Sequence, residues 1–300
     1  MNLKEIAEKC RRLANPYRVS DGQNFRLNAV DPGDVGELTA EDKPRAKEAL
    51  ALGVQALAEL QRLLYAQNRW AALLIFQAMD AAGKDGAIKH VMSGLNPQGC
   101  QVDSFKAPSA EELDHDYLWR CLKRLPARGR IGIFNRSYYE EVLVLRVHQK
   151  LLEKQKLPRQ LVTPQIWEER YENISNFEHY LSRNGYVIRK IFLNVSNEEQ
   201  KRRFMERLEN PNKRWKFSSS DAQEREFWDD YMRAYEAMIR ATAKPYAPWY
   251  VMPADNKWFT RVIVAAAIID ALEALDLRFP EMTETQKQQL VQARRTLVER

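Results

Sequence analysis

Asp80 and Lys84 lie in the run Ala78-Met79-Asp80-Ala81-Ala82-Gly83-Lys84-Asp85-Gly86, between the apolar stretch Ala72-Leu73-Leu74-Ile75-Phe76 and a helix start at Gly86-Ala87-Ile88. A glycine-containing turn from a buried strand into a helix aims backbone amides at one point, and the helix dipole adds positive potential there. Such a turn cradles phosphate. Lys84 would neutralise charge on a transferred phosphoryl group. The ordinary P-loop, G-x-x-x-x-G-K-[ST], opens on glycine and follows its lysine with a hydroxyl that holds magnesium. Ala78 and Asp85 stand at those two positions here. Another group must therefore bind the metal, and Asp80, inside the loop where phosphate oxygens would lie, is the candidate. Asp85 reads either as part of the cradle, with Ala81, Ala82, Gly83 and Gly86, or as a helix-start acid favoured by the dipole. The chemistry to which these residues point is phosphoryl transfer.

A second polar cluster, Asn135-Arg136-Ser137-Tyr138-Tyr139-Glu140-Glu141, follows the run Arg130 to Phe134. Ligands of open α/β sheets collect at the carboxyl ends of strands. A Walker-B strand would end in Asp; Asn135 can reach a metal, or its bound water, through a carbonyl oxygen but brings no charge. Arg136 can clamp a phosphate with two parallel hydrogen bonds, or form a structural ion pair. Ser137 and Glu140 have the spacing of a capping box, which accounts for Glu140 and leaves Glu141 to face a ligand. Tyr138 and Tyr139 either stack on a base or pack on the sheet, as aromatics at a helix start more often do. Asn135, Arg136, Tyr139 and Glu141 are the nucleotide-binding candidates. His115 and His148 have no histidine partner one turn away and do not read as metal ligands.

Between Ser196 and Phe217 stand Lys201, Arg202, Arg203, Arg207, Lys213, Arg214 and Lys216, interrupted by Pro211. Glu198, Glu199, Glu206 and Glu209 make the helical part readable as a salt-bridged surface helix. Lys213, Arg214 and Lys216 follow it in a loop, and clustered cations on a loop beside a phosphate site read as a closing lid.

The elements that must position these groups are legible. A helical stripe runs from Asp42 to Gln67. Five β-rich runs, Ala71 to Gln77, Gln101 to Lys106, Arg130 to Phe134, Tyr186 to Leu193 and Trp249 to Met252, alternate with helical patterns. Alternation of this kind implies a parallel sheet covered on both faces, an α/β/α sandwich. Ser109/Glu112, Ser137/Glu140 and Ser196/Glu199 mark helix starts, Ser220/Gln223 opens a further long helix, and Asn184-Gly185 marks a stop. The helix from Trp258 to Leu275 is apolar on most faces and should be buried. Residues 1–40, with Asn15-Pro16, Asp21-Gly22 and Asp31-Pro32-Gly33, read as an irregular arm. The division expected is an arm at 1–40, a catalytic domain at 41–277 with a lid at about 205–225, and a helical tail at 278–300.

At 300 residues and 45% hydrophobic, the chain can bury one large core. Its net charge of +6 is compatible with a polyanionic partner. Cys10, Cys100 and Cys121 form no CxxC pair, which argues against a disulfide framework or zinc site and for a reducing compartment. No secretory signal and no apolar run of membrane-spanning length is present, so a soluble, cytoplasmic protein is expected. Two other readings stay open on the residues alone: an ATP-dependent kinase of nucleotides or small metabolites, and a non-catalytic nucleic-acid-binding protein. The second leaves a carboxylate inside a phosphate cradle unexplained unless a metal intervenes.

The chain resembles the second family of polyphosphate kinases, which is similar in fold to thymidylate kinase. The resemblance covers residues 15–277 and rests on Met79 to Gly86, Phe134 to Glu140, Arg170-Tyr171 through Phe177-Glu178, Trp215-Lys216-Phe217-Ser218 and Ala247-Pro248-Trp249-Tyr250. It implies a P-loop kinase fold with a five-stranded parallel sheet and a helical lid. It also implies reversible, Mg2+-dependent transfer between inorganic polyphosphate and nucleotides. By motif, Asp80 would bind magnesium, Lys84 the phosphates, and Arg136 would clamp phosphate. Lys190, Arg203, Arg207, Lys213 and Lys216 would line the path of the polyanion. The Asn-Arg-Ser form at Asn135 resembles the subgroup that phosphorylates both AMP and ADP. The family resemblance further implies a dimer or tetramer with neither nucleic acid nor membrane as partner.

Overall fold

The computed structural model describes residues 2–216 and 218–298, with the side chains of residues 216, 219 and 220 outside that description. The strands are β1 (Arg18–Val19), β2 (Ala71–Gln77), β3 (Cys100–Ser104), β4 (Ile131–Asn135), β5 (Tyr186–Asn194) and β6 (Trp249–Pro253). They form one sheet in the order β1-β6-β5-β2-β4-β3. The five later strands are parallel neighbours, as the alternating pattern implies. The sheet nevertheless has six strands and is mixed, because β1 pairs antiparallel with β6 (Arg18 opposite Tyr250, Val19 opposite Trp249). A strand of two residues carries no periodicity from which it can be read.

All seven residues of β2 are buried, so the central strand shows a continuous apolar run instead of alternation. The chain leaves β2 toward β4 and β3 on one side and later crosses to β5 and β6 on the other. The crevice beyond the carboxyl ends of β2 and β4 is therefore the switch point at which ligands of such sheets bind.

The helices are α1 (Leu3–Ala14), α2 (Lys43–Gln67), α3 (Lys84–Met92), the short α4 (Ala110–Leu113) and α5 (Trp119–Leu122), α6 (Glu140–Val147), α7 (Ile166–Arg183), α8 (Asn197–Glu209), α9 (Ser219–Gln223), α10 (Trp228–Thr242), α11 (Lys257–Glu273) and α12 (Glu284–Val298). Helices α1, α2, α3 and α11 pack together on one face of the sheet, and α6, α7 and α10 on the other. Helix α11 is buried along nearly its whole length. Every described residue of α12 is exposed. No helix among the described residues is long and apolar enough to cross a membrane.

The N-terminal segment is more ordered than its turn-rich sequence suggests. Asn2 and Glu5 form a capping box that opens α1, buried Ala7 and Ala14 let it approach α11 closely, and Arg11 Nε meets Asp270 at 2.7 Å. Residues 21–34 then strap across the carboxyl end of the sheet. Asn194 Nδ2 donates to Val30 O at 3.0 Å, Asp255 N to Pro32 O at 3.1 Å and Leu27 N to Glu236 at 2.8 Å. The strap lies so close to α10 that a Cβ on Gly22 would stand 2.1 Å from the Arg240 carbonyl oxygen, a backbone atom that cannot swing aside. Gly22→Ala should therefore destabilise the protein by about 1–3 kcal/mol, read as a lowered thermal midpoint. An unchanged midpoint would mean that the strap lifts from α10 at no cost.

Candidate active site

The loop after β2 makes the cradle. Ala81 (φ +63°) and Gly83 (φ +108°) take left-handed conformations that reverse the chain before α3 begins at Lys84. A loop whose amides face an anion must turn its carbonyls inward, where they need donors. Arg203, on α8 and only 3% exposed, supplies them: Nη1 donates to Ala81 O at 3.0 Å and Ala82 O at 2.6 Å. Its Nη2 donates to Ala254 O at 2.6 Å and Asp255 O at 3.0 Å, while Nε is paired with Glu199 at 2.7 Å. Gln200 Nε2 donates to Asp80 O at 2.9 Å. Arg203 thus fixes the underside of the loop, with Glu199 beside its charge, and it also stands in the wall of the basic pocket next to the cradle.

Lys84 is 8% exposed, and its ammonium donates to Ala78 O at 2.7 Å across the loop. Burial lowers its pKa, partly opposed by Asp80. Arg136, at the end of β4, also has a left-handed backbone (φ +64°), held by its N–H donating to Phe76 O at 3.0 Å. Its guanidinium lies across the loop, with Nη2 at 2.8 Å from Asp80 Oδ1 and Nη1 at 3.8 Å from Glu140 Oε2. Burial works against the Arg136 charge, but Glu140 and Asp80 outweigh it and raise its pKa. Asn135 Nδ2 donates to Asp85 Oδ1 at 2.8 Å.

Three expectations are corrected. Ser137 and Glu140 form no capping box, because α6 opens only at Glu140 and the Ser137 hydroxyl instead accepts from Tyr139 N at 3.1 Å. Glu140 is thereby released toward Arg136, where burial pushes its carboxyl up. The capping spacing hid it as a site residue. Tyr139 is buried and faces no ligand: its hydroxyl and that of Tyr138 donate to Glu178 Oε1 at 2.7 and 2.9 Å. Lys190 is fully buried, with Nζ at 2.6 Å from Glu178 Oε2, 3.0 Å from Tyr139 Oη and 2.7 Å from Thr242 O, so it lines no path. Glu141 is held by Arg170, 3.4 Å away, and by Gln155, and stands in the wall of the mainly apolar pocket described below.

Toward and beyond the end of α8, Arg207 faces Asp221 at 3.8 Å and Lys213 is paired with Glu206. The Lys216 side chain and Phe217 lie outside the described residues. The long helix expected from Ser220 is divided into α9, a 3-10 turn at Glu224–Phe227, and α10.

These residues enclose a cavity of about 800 Å³ whose lining includes Asp80, Lys84, Asp85, Asn135, Arg136, Arg207 and Asp221. Through Phe105, Lys106 and Arg136 it adjoins a mainly apolar pocket of about 390 Å³ with Pro108, Leu113, Val144, Leu145 and Leu151 in its walls. Through Gly83, Gly86 and Arg207 it adjoins a basic pocket of about 210 Å³ that includes Lys213, Lys257 and Arg261. Lys257 and Arg261, one turn apart at the start of α11, escaped the sequence reading because the helix looks uniformly apolar; the i, i+4 pair of cations was the available signal. A larger groove of about 920 Å³ beneath the strap shares no residue with these three.

Asp80 and Asp85 bring hard carboxylate oxygens to the central cavity, which suits Mg2+, and Asn135 lines it beside them. Among the described residues no group of three or more His, Cys, Asp and Glu side chains is arranged to hold a metal. An ion here would complete its coordination with phosphate oxygens and water.

The family model for polyphosphate kinase 2 (PPK2) matches residues 40–280. The chain belongs to the polyphosphate kinase 2 family. Two relatives cover nearly its whole length. The "ADP-polyphosphate phosphotransferase" of Rhodopseudomonas palustris is 49% identical, over 94% of this chain and 97% of its own. The "AMP/ADP-polyphosphate phosphotransferase" of Meiothermus ruber is 44% identical, over 92% and 98%. The crystal structure of polyphosphate kinase 2 from Arthrobacter aurescens TC1 is 41% identical and superposes with a TM-score of 0.84, over 93% of this chain and 96% of that one. This polyphosphate kinase 2 is therefore an enzyme, and its buried lysine can be tested as one. Lys190→Ala leaves Glu178 charged and unpaired in the core, which should cost about 3–5 kcal/mol of stability. Where the variant stays folded, its KM for the phosphate donor should be unchanged; a selective rise would return Lys190 to the substrate path.

Proposed function

We propose that this polyphosphate kinase 2 transfers phosphoryl groups reversibly between inorganic polyphosphate and adenine nucleotides, from AMP to ADP and from ADP to ATP, with Mg2+. The observation that carries the reading is the row of three adjoining pockets, one mainly apolar, one at the phosphate cradle and one cationic. A nucleotide acceptor needs a wall for its base and an anchor for its phosphates. The apolar pocket supplies the wall, and Arg136, shared with the cradle, the anchor. A polyphosphate donor has no base, so its site needs charge alone, and Lys213, Lys257 and Arg261 provide it.

Transfer of a phosphoryl group needs little covalent help from the protein, so positioning and charge carry the catalysis. Loop amides and Lys84 hold the transferred group. Arg136 lies between donor and acceptor, where it can exchange Asp80 for phosphate oxygens as a bidentate clamp. Asp80 would hold Mg2+, which would supply positive charge against that developing on the transferred phosphoryl group.

Chromatographic assay of AMP or ADP with polyphosphate and magnesium, with each component omitted in turn, tests the reading. ATP should form from both acceptors only in the complete mixture. Formation from ADP alone would remove the AMP assignment, and phosphorylation driven by ATP without polyphosphate would replace the donor. Asp80→Asn and Lys84→Ala should each lower kcat by about 10²-fold or more. Lys257→Ala with Arg261→Ala should raise the KM for polyphosphate several-fold and leave that for ADP unchanged; equal effects on both substrates would remove α11 from the donor site.

A further inference from the structure

Asp85 follows the P-loop lysine, where an ordinary P-loop places its metal-binding hydroxyl, and Asn135 ends β4, where a Walker-B strand places its acid. Both identities are exchanged: an acid replaces the hydroxyl on the helix, and an amide replaces the acid on the strand. The fold brings the exchanged pair together, with Asn135 Nδ2 donating to Asp85 Oδ1 at 2.8 Å. Because a carboxylate only accepts, the nitrogen of the amide must be the end that faces it. Asp85 is exposed to the same cavity as Asp80 and Lys84.

A favourable helix dipole explains an acid at Asp85 but not an amide at Asn135. The contact explains both. Aspartate at both positions would set two carboxylates within hydrogen-bond distance, where they cannot both ionise. The pair therefore carries one negative charge, as a hydroxyl–aspartate pair does, but carries it on the helix. The amide takes one oxygen of Asp85, and a carboxylate has a second.

We propose that Asp85 is a second metal-facing carboxylate of the site, for a divalent cation bridging to substrate phosphate, and that Asn135 is the positioning residue that orients it. The assignment rests on the metal-dependent phosphoryl transfer set out above. The charge that the strand lacks has been moved, not lost.

Mn2+ binding, followed by the EPR signal of the free ion with ADP present, tests this without turnover. Asp85→Asn and Asn135→Asp are isosteric, and Asp85 is exposed, so the variants should fold; thermal unfolding checks it. Asp85→Asn should weaken Mn2+ binding about tenfold or more, and the reciprocal double variant Asp85→Asn/Asn135→Asp, which returns the acid to the strand, should recover most of the loss. Native-like binding by Asp85→Asn, or a double variant no better than the single one, overturns the assignment. If native protein and ADP hold no Mn2+ beyond what ADP alone holds, the metal requirement itself falls, and this assignment with it.

Discussion

The guanidinium of Arg203 is the point on which the site depends. A loop can present its amides to phosphate only if its carbonyls turn away from solvent and still find donors. Arg203 meets that requirement for Ala81 and Ala82 with one nitrogen and ties them through another to Ala254 and Asp255 at the end of β6. One buried side chain thus locks the cradle, α8 and the last strand into a single unit. Glu199 balances the charge at 2.7 Å, so the arginine need not seek a ligand. The basic segment from Arg207 to Lys216 grows directly out of α8, and its base is fixed by the same contact.

The Arg136 turn is held on a comparable principle by different chemistry. A non-glycine residue at φ +64° costs of order 1–3 kcal/mol and persists only where neighbours over-determine it. Tyr138 and Tyr139 enter the core just after the turn, and Glu178 takes both hydroxyls. Lys190 pairs with that carboxylate from β5. A fully buried ion pair contributes little net stability over apolar residues of the same volume. What this one does is tie α7, β5 and the start of α6 together at the root of the turn, so that Arg136 is aimed across the cradle at Asp80.

Lys190 also shows where sequence reading reaches its limit. The parallel strands were legible because each is a short apolar run between helical patterns, and the cradle because its residues are contiguous. Strands buried on both faces lose their alternation, so nothing in Tyr186 to Asn194 says which way Lys190 points, and a cation near a phosphate site is readily taken for a ligand. Glu140 failed in the opposite direction: a local rule explained it, and the start of α6 three residues after Ser137 removed the explanation. The edge strand β1 was too short to signal, and Lys257 and Arg261 join the cradle only through folding of residues far apart in the chain.

Charge balance in the groove explains why a polyanion site can belong to a protein with a net charge of only +6. Several of the groove cations have acids beside them: Arg136 has Asp80 and Glu140, Arg207 has Asp221, and Lys213 has Glu206. Bare, clustered cations would repel one another. Paired ones can be held close together at little electrostatic cost, and a substrate then exchanges partners instead of neutralising naked charge. The released carboxylates are not equivalent. Asp80 lies at the cradle beside Lys84, whereas Glu206 and Asp221 stand on α8 and α9 with Lys213 and Arg207. Partner exchange of this kind is nearly balanced in both directions, which is what a reversible transfer between two polyanions requires.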